Sequence, residues 1–212
     1  MTPDRTGNAA CDYHASYPRS PSEIRMNTYS AILLAGGKAT RMGGLDKGLV
    51  PWRGKPLIEH VLARIRSQVD DIVISCNRHP EQYAGYGACQ ADATEDYAGP
   101  LAGIAACLPL CRHDAVLVVA CDMPLLPDDL VTRLGDALTP DMDVAVAHDG
   151  EQLQPLAILL RRRALPALHR ALDQGQAAVH RWALAQRHRI VTFEDPGAFR
   201  NFNTLAELDS GV

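Results

Sequence analysis

The segment Leu34-Ala-Gly-Gly-Lys-Ala-Thr-Arg-Met-Gly-Gly44 carries the strongest chemical signal in the chain. Glycine lets the backbone approach a ligand and take positive φ, and successive exposed N–H groups then form a cradle for anions. Gly36 and Gly37 follow the apolar run Ala31 to Leu34 directly, while Arg41 and Lys47 add positive charge. An arginine can hold phosphate oxygens with two parallel hydrogen bonds, and a lysine acts on them as a point charge. The pattern is neither a P-loop nor a dinucleotide fingerprint: Met42 stands five residues after Gly37, and Lys38 stands where the second glycine of G-x-G belongs. The expectation is a loop that wraps the phosphates of a nucleoside triphosphate. A plain glycine-rich turn is the competing reading.

Asp122, in Cys121-Asp-Met-Pro124, comes immediately after the most apolar run of the chain. Mg²⁺ binds one or two carboxylates together with phosphate oxygens, so Asp122 is the candidate metal ligand, with a helix-cap or turn role as the alternative. Asp92 follows the short run Ala88 to Ala91 and could accept hydrogen bonds from a base or sugar, although lone loop aspartates more often cap their own backbone. Gly99-Pro-Leu-Ala-Gly103 reads either as a helix start brought close to a ligand or as tight packing of that helix. In Asn201-Phe-Asn-Thr204, Thr204 and Glu207 suit a capping box for a last helix, which leaves Asn201 and Asn203 unexplained. Arg161-Arg-Arg163 sits at an expected helix start and reads as a solvated run or a contact for an anion. The histidines supply no base–nucleophile pair, and Cys76, Cys107 and Cys121 fall in apolar segments as core residues do.

These residues need elements to hold them. Strands are expected at Ala31–Leu34, Asp71–Ser75, Ala88–Ala91 (the weakest), Ala115–Cys121, Asp143–Ala147, Leu153–Leu160 and Arg189–Phe193. The turn His148-Asp-Gly150 joins the fifth to the sixth. Helices are expected after Pro56, carrying Leu57, Ile58, Val61, Leu62, Ile65 and Val69, then over Gly99–Leu108, from Pro127-Asp128-Asp129 through Leu138, over Arg162–Leu172, and over 177–186. Alternating strands and helices imply an α/β fold, a Rossmann-like three-layer sandwich with a mostly parallel sheet and helices on both faces. Ligands in such folds bind at the carboxyl ends of the strands, and the candidate residues lie just after apolar runs.

Residues 1–29 are polar and poor in aliphatic side chains, so they read as a flexible extension, with 30–212 as a single domain and Met26 as an alternative start. The chain has 212 residues, 47% of them hydrophobic and 22% charged, with a formal net charge of −4, which argues against nucleic-acid binding. It carries no secretory-signal core and no stretch resembling a membrane helix. Six cysteines without a CxxC pair suggest reduced thiols and a cytoplasmic location.

Taken in order, the glycine segment, Asp46-Lys47-Gly48, Gly54-Lys-Pro56, Gly99-Pro-Leu-Ala-Gly103, Cys121-Asp-Met-Pro124 and Asn201-Phe-Asn-Thr204 resemble the molybdenum cofactor guanylyltransferase family. The likeness runs from about Ser30 to Leu208, with the double-glycine loop and the Asn-x-Asn-Thr ending typical of the guanylyl branch. It implies GTP and molybdopterin as substrates, Mg²⁺ as cofactor, and transient contact with molybdoenzymes or their chaperones. The expected mechanism with those substrates is in-line transfer, in which the terminal phosphate of molybdopterin attacks the α-phosphorus of GTP and pyrophosphate leaves. The resemblance places Leu34, Ala35, Gly36, Lys47, Asp92 and Asp122 around GTP, with Asp122 also on the metal; Gly37 of the same loop is expected there too, and Arg41, Lys47 and Asp122 are the expected catalytic set. The family often carries asparagine where this chain has Ser75, a departure at a base or ribose contact, and Asn77, two residues on, would point to the same sheet face if the strand continued; Ser75, Asn77 and Gly103 are the further GTP-side candidates. A basic pair of relatives is replaced by Ala177-Ala178, leaving Arg181, Asn201 and Asn203 as acceptor-side candidates. The rival readings are a cytidylyl or other nucleotidyltransferase with a different phosphorylated acceptor, and a non-catalytic GTP-binding delivery module.

Overall fold

The run Ala115–Ala120 is apolar on both of its faces, as a strand covered by helices on each side must be. In the structure, a computed structural model describing residues 28–35, 46–92 and 99–202, it lies inside a seven-stranded sheet. The strands are β1 (Tyr29–Leu34), β4 (Asp71–Ser75), β5 (Ala88–Gln90), β6 (Ala115–Ala120), β7 (Val144–His148), β8 (Leu153–Arg161) and β9 (His188–Thr192). A separate two-stranded ribbon is formed by β2 (Pro51–Trp52) and β3 (Lys55–Pro56). The large sheet has the order β5-β4-β1-β6-β8-β7-β9. Among the described strands of that sheet β8 alone is reversed, pairing antiparallel with both β6 and β7. The expected turn at His148-Asp149-Gly150 supplies that reversal, with Gly150 at φ 103 and the Asp149 carboxylate accepting from the N–H groups of Glu151 and Gln152 at 2.8 and 2.7 Å.

Side chains alternate across each strand, so the sheet divides the core in two. Ala31, Leu33, Ile74, Leu117, Val119, Ala145 and Leu159 face α1 (Leu57–Ile65) and α4 (Leu130–Ala137). Ile32, Val73, Val116, Val118, Val146 and Ile158 face α3 (Pro100–Cys107), α5 (Leu165–Asp173) and α6 (Val179–Leu184). A short helix, α2 (Pro80–Tyr83), lies between β4 and β5. The three-layer α/β sandwich is the expected one. No helix among the described residues is long and apolar enough to cross a membrane.

Several element boundaries differ from expectation. Pro56 does not open the first turn of α1; it is the residue before that helix, extended at φ −54 and ψ 145 and paired with Pro51 across the ribbon. The helix expected from Pro127 begins at Leu130. Pro100 opens α3, and Pro109 falls in a 3₁₀ turn over Leu108–Leu110. The helix expected from Arg162 begins at Leu165, because Arg161 still belongs to β8 and Arg162–Ala164 form a 3₁₀ turn. Two members of that arginine run find anions within the protein itself, Arg161 on Asp114 at 2.7 Å and Arg163 on Asp143 at 2.7 Å. Arg161 pairs with Ala115 at the start of β6, so the run lies at the edge of the sheet opposite the candidate site.

Candidate active site

Four parallel strands end together at one edge of the sheet, and their backbone ladder continues past them. Ala35 donates to the Ser75 carbonyl at 2.9 Å, Cys76 to that of Gln90 at 3.0 Å, and Cys121 to that of Leu34 at 3.1 Å. This continuation fixes what comes next in sequence: Ala35 after β1, Asn77 after β4, Asp92 after β5 and Asp122 after β6.

Asp122 is only 6% exposed. One carboxylate oxygen, Oδ2, accepts from Lys47 Nζ, and its backbone carbonyl accepts from the Phe202 N–H at 3.0 Å. The other oxygen, Oδ1, is buried with no hydrogen-bond partner. A buried carboxylate oxygen left unpaired is costly, and it suits a cation supplied from outside the protein. Among the described residues no group of three or more His, Cys, Asp and Glu side chains could hold a metal by itself. The open oxygen of Asp122 fits the kind of Mg²⁺ site that uses one or two carboxylates and is completed by substrate phosphates and water. Phe202 is itself anchored, its ring 5.1 Å from that of Trp52 in a cluster with Val50 and Leu57.

Lys47 opens a 3₁₀ turn over Lys47–Leu49, closed by Leu49 donating to the Asp46 carbonyl at 3.0 Å. The Asp46 side chain accepts from the hydroxyl of Tyr83, a fully buried residue of α2. A Cβ on Gly48 would lie 2.7 Å from that hydroxyl and 3.1 Å from Cys121 Sγ, so only glycine fits. Burial, with Cys121 and Asp46 nearby, pushes the Tyr83 phenol well above its ordinary pKa and keeps it a proton donor. Sequence reasoning missed Tyr83 and the role of Asp46. The available signal was His79-Pro-Glu-Gln-Tyr83, a proline-led turn of helix ending in an aromatic side chain, just after a strand.

Asn77 and Asp92 form a reciprocal pair. Asn77 Nδ2 donates to Asp92 Oδ1 at 2.6 Å, and the Asp92 N–H donates to Asn77 Oδ1 at 2.9 Å. Strand β4 has stopped at Ser75, so Asn77 meets the end of β5 instead of continuing a pleat. Ser75 points the other way, under α3, where a Cβ on Gly103 would lie 2.4 Å from its Oγ. Arg181 and Asn201 are exposed. Gly99, at φ 82, brings the N-terminus of α3 beside Ala177, where an added Cβ would be 3.6 Å from the alanine methyl. Gly36, Gly37, Arg41 and Asn203 lie outside the described residues, as do residues 1–27 of the expected extension and the capping box at Thr204.

Among the described residues, the buried thiols Cys107 and Cys121 are not suited to act as nucleophiles. Burial pushes the Cys107 thiol up to about 12, and it raises Cys121 well above its ordinary value. Such thiols stay protonated and inert at neutral pH.

A parallel sheet edge that presents a Lys–Asp pair with an open, buried carboxylate oxygen, next to a glycine-rich sequence, suits a nucleotidyltransferase, the class that the family match gives. Residues 31–190 match the family model described as MobA-like NTP transferase domain. The chain belongs to the molybdenum cofactor guanylyltransferase family. A molybdenum cofactor guanylyltransferase of Photobacterium profundum is 45% identical over 180 residues, covering 84% of this chain and 93% of that one. Its counterpart in Vibrio cholerae is 42% identical over 180 residues, 84% and 89% of the two chains. Among solved structures, molybdopterin-guanine dinucleotide biosynthesis protein A of Archaeoglobus fulgidus superposes with a TM-score of 0.69 at 23% identity, over 85% of this chain and 95% of that one. A nucleotidyl transferase of Methanothermobacter superposes with 0.70 at 18% identity, over 87% and 95%. At those identities the two structures speak to the fold alone.

Proposed function

We propose that this protein transfers GMP from GTP to the terminal phosphate of molybdopterin, forming molybdopterin guanine dinucleotide and releasing pyrophosphate. The observation that carries the site assignment is Asp122, buried, bound by Lys47 through one oxygen and open at the other. A phosphate oxygen of molybdopterin forms the new bond to the α-phosphorus of GTP, and the bond from that phosphorus to the bridging oxygen of pyrophosphate breaks. The attacking phosphate is already anionic, so no general base is required. The protein has to hold two polyanions together and offset charge at the reacting phosphorus.

Leu34, Ala35, Gly36 and Gly37 surround the nucleotide, with Arg41 and Lys47 on its phosphates and Asp92 on its base or sugar. The reciprocal amide contact of Asn77 supports Asp92 in that role. The close approach of Gly103 to Ser75 supports packing for those two in place of nucleotide contact. Asp122 would hold Mg²⁺, and that ion would supply charge neutralisation to the phosphates. Asn201, Asn203 and Arg181 serve the acceptor side. The hydrogen bond from Phe202 to the Asp122 carbonyl supports this reading for Asn201, the residue before Phe202. Residues 30–212 make one nucleotidyltransferase domain, a reading supported by the span of the family match. The free thiols of Cys76, Cys89, Cys107, Cys111 and Cys121 favour a reducing, cytoplasmic setting.

The test is direct. The protein is incubated with Mg²⁺, molybdopterin and either GTP or CTP, and the product is identified by mass. A guanine dinucleotide with stoichiometric pyrophosphate is expected. A cytosine product in excess would replace the guanylyl reading with a cytidylyl one, and GTP binding without pyrophosphate would replace it with a delivery role.

A further inference from the structure

We infer that Tyr83 is a positioning residue for Lys47: its buried hydroxyl, through Asp46 and Gly48, fixes the turn that delivers the lysine ammonium to Asp122. The inference rests on the reading that Lys47 acts on the phosphates of GTP. A lysine reaches its target on a flexible four-carbon stem, so the position of its ammonium depends on how firmly its backbone is held. Here the backbone is a three-residue 3₁₀ turn, followed after Val50 by a two-residue strand, so regular structure holds it weakly. The hold comes from beneath. Tyr83 donates to Asp46, the residue before Lys47. Gly48, the residue after it, lies where an added Cβ would be 2.7 Å from the Tyr83 hydroxyl and 3.1 Å from Cys121 Sγ. Cys121 directly precedes Asp122. Phenol, turn and strand end thus form one continuous packed unit, with the Lys47–Asp122 ion pair on top of it. Burial raises the phenol pKa above its ordinary value, which favours the protonated, donating form.

A side chain buried this fully would matter for stability in any case, so the test must separate position from folding. Four proteins are compared in GMP transfer with GTP, Mg²⁺ and molybdopterin: wild type, Tyr83→Phe, Lys47→Ala, and the double variant. Slow variants are followed in single turnovers at high enzyme concentration. Tyr83→Phe removes one oxygen and keeps the ring, and it is expected to lower kcat about tenfold while the KM for GTP moves less than threefold, since small misplacements of a charge-stabilising group act on the transition state. In the Lys47→Ala background the same change is expected to alter kcat less than twofold, because there is no ammonium left to position. Equal losses in both backgrounds, or wild-type kcat in folded Tyr83→Phe, overturn the inference. A Lys47→Ala protein with wild-type kcat removes the underlying reading of Lys47 as well, which distinguishes the two failures. At Asp46, Asn retains an oxygen that can accept from Tyr83 and Leu does not; Asp46→Asn is expected to lose less kcat than Asp46→Leu, and the reverse order also overturns the inference.

Discussion

Lys47 and Asp122, 75 residues apart in sequence, meet as an ion pair that uses one carboxylate oxygen and leaves the other buried and open. Asp122→Asn keeps the size of the side chain and an oxygen for Lys47, but it removes the charge a divalent cation needs. It is expected to fold like wild type and to lose about 100-fold or more in kcat, the scale for one electrostatic contact in a transition state. Steady-state kinetics beside thermal denaturation checks this. Full turnover by a folded Asp122→Ala protein would remove Asp122 from the mechanism.

Asn77 holds Asp92 through two hydrogen bonds. Asn77→Ala is expected to weaken GTP binding about tenfold, the worth of roughly one such bond, with kcat within about threefold. Asn77→Asp places a second carboxylate against the first. Repulsion between the two is relieved when one takes up a proton, so GTP affinity in that variant should strengthen from pH 8 to pH 5. Calorimetric titration across that range gives the slope, and a profile parallel to wild type would count against Asp92 as a GTP contact.

Gly103→Ala would drive a methyl group to 2.4 Å from Ser75 Oγ and 3.3 Å from its Cβ. The expected cost is about 1–3 kcal/mol of stability, the range for overpacking a tight interface. Removing the hydroxyl with Ser75→Ala should return part of that loss in the double variant, as read from urea midpoints. Strict additivity of the two substitutions would show that Gly103 and Ser75 do not share this contact.

Asp143 lies at the far edge of the sheet, where the Arg187 guanidinium and then Arg163 hold its carboxylate below the ordinary value of 3.8, against the opposing effect of burial. A depressed carboxylate stabilises the fold above its unfolded pKa, and the contribution disappears as pH falls through the folded value. Wild type should therefore lose urea resistance on going from about pH 5 to below pH 3.8 more steeply than Asp143→Asn. Both arginine partners are largely exposed, so salt should shrink the difference. Identical acid limbs would show that the cluster contributes nothing.

The parts of the fold most legible in the sequence are those whose side chains meet neighbours over long continuous runs. Ala115–Ala120 reads as a central strand because both of its faces are apolar, and α1 is legible from Leu57, Ile58, Val61, Leu62 and Ile65 at helical spacing. Reversal of β8 is legible in the turn at Gly150. By contrast α2 has four residues and one buried side chain, too few to set up a period. Arg161 and Arg163 look like a solvated run because their partners, Asp114 and Asp143, are brought near only by the sheet. Lys47 and Asp122 stand out as charges after apolar or glycine-rich segments. The dependence of Lys47 on Tyr83 is carried by one hydroxyl packed against one glycine, which no periodicity reveals.

The hydrogen bond from Phe202 to Asp122 has a consequence for how the enzyme comes into being. Synthesis runs from the N-terminus, and β1, β4, β5 and β6 leave the ribosome long before Phe202 does. Until Phe202 arrives, Trp52 has the His60 ring beside it but not that of Phe202, and the Asp122 carbonyl lacks this donor. A nascent or prematurely terminated chain can thus assemble much of its sheet without a finished active site. One proteolytic cut just ahead of Phe202 would separate this contact from the sheet, whose last strand in sequence among the described residues ends at Thr192.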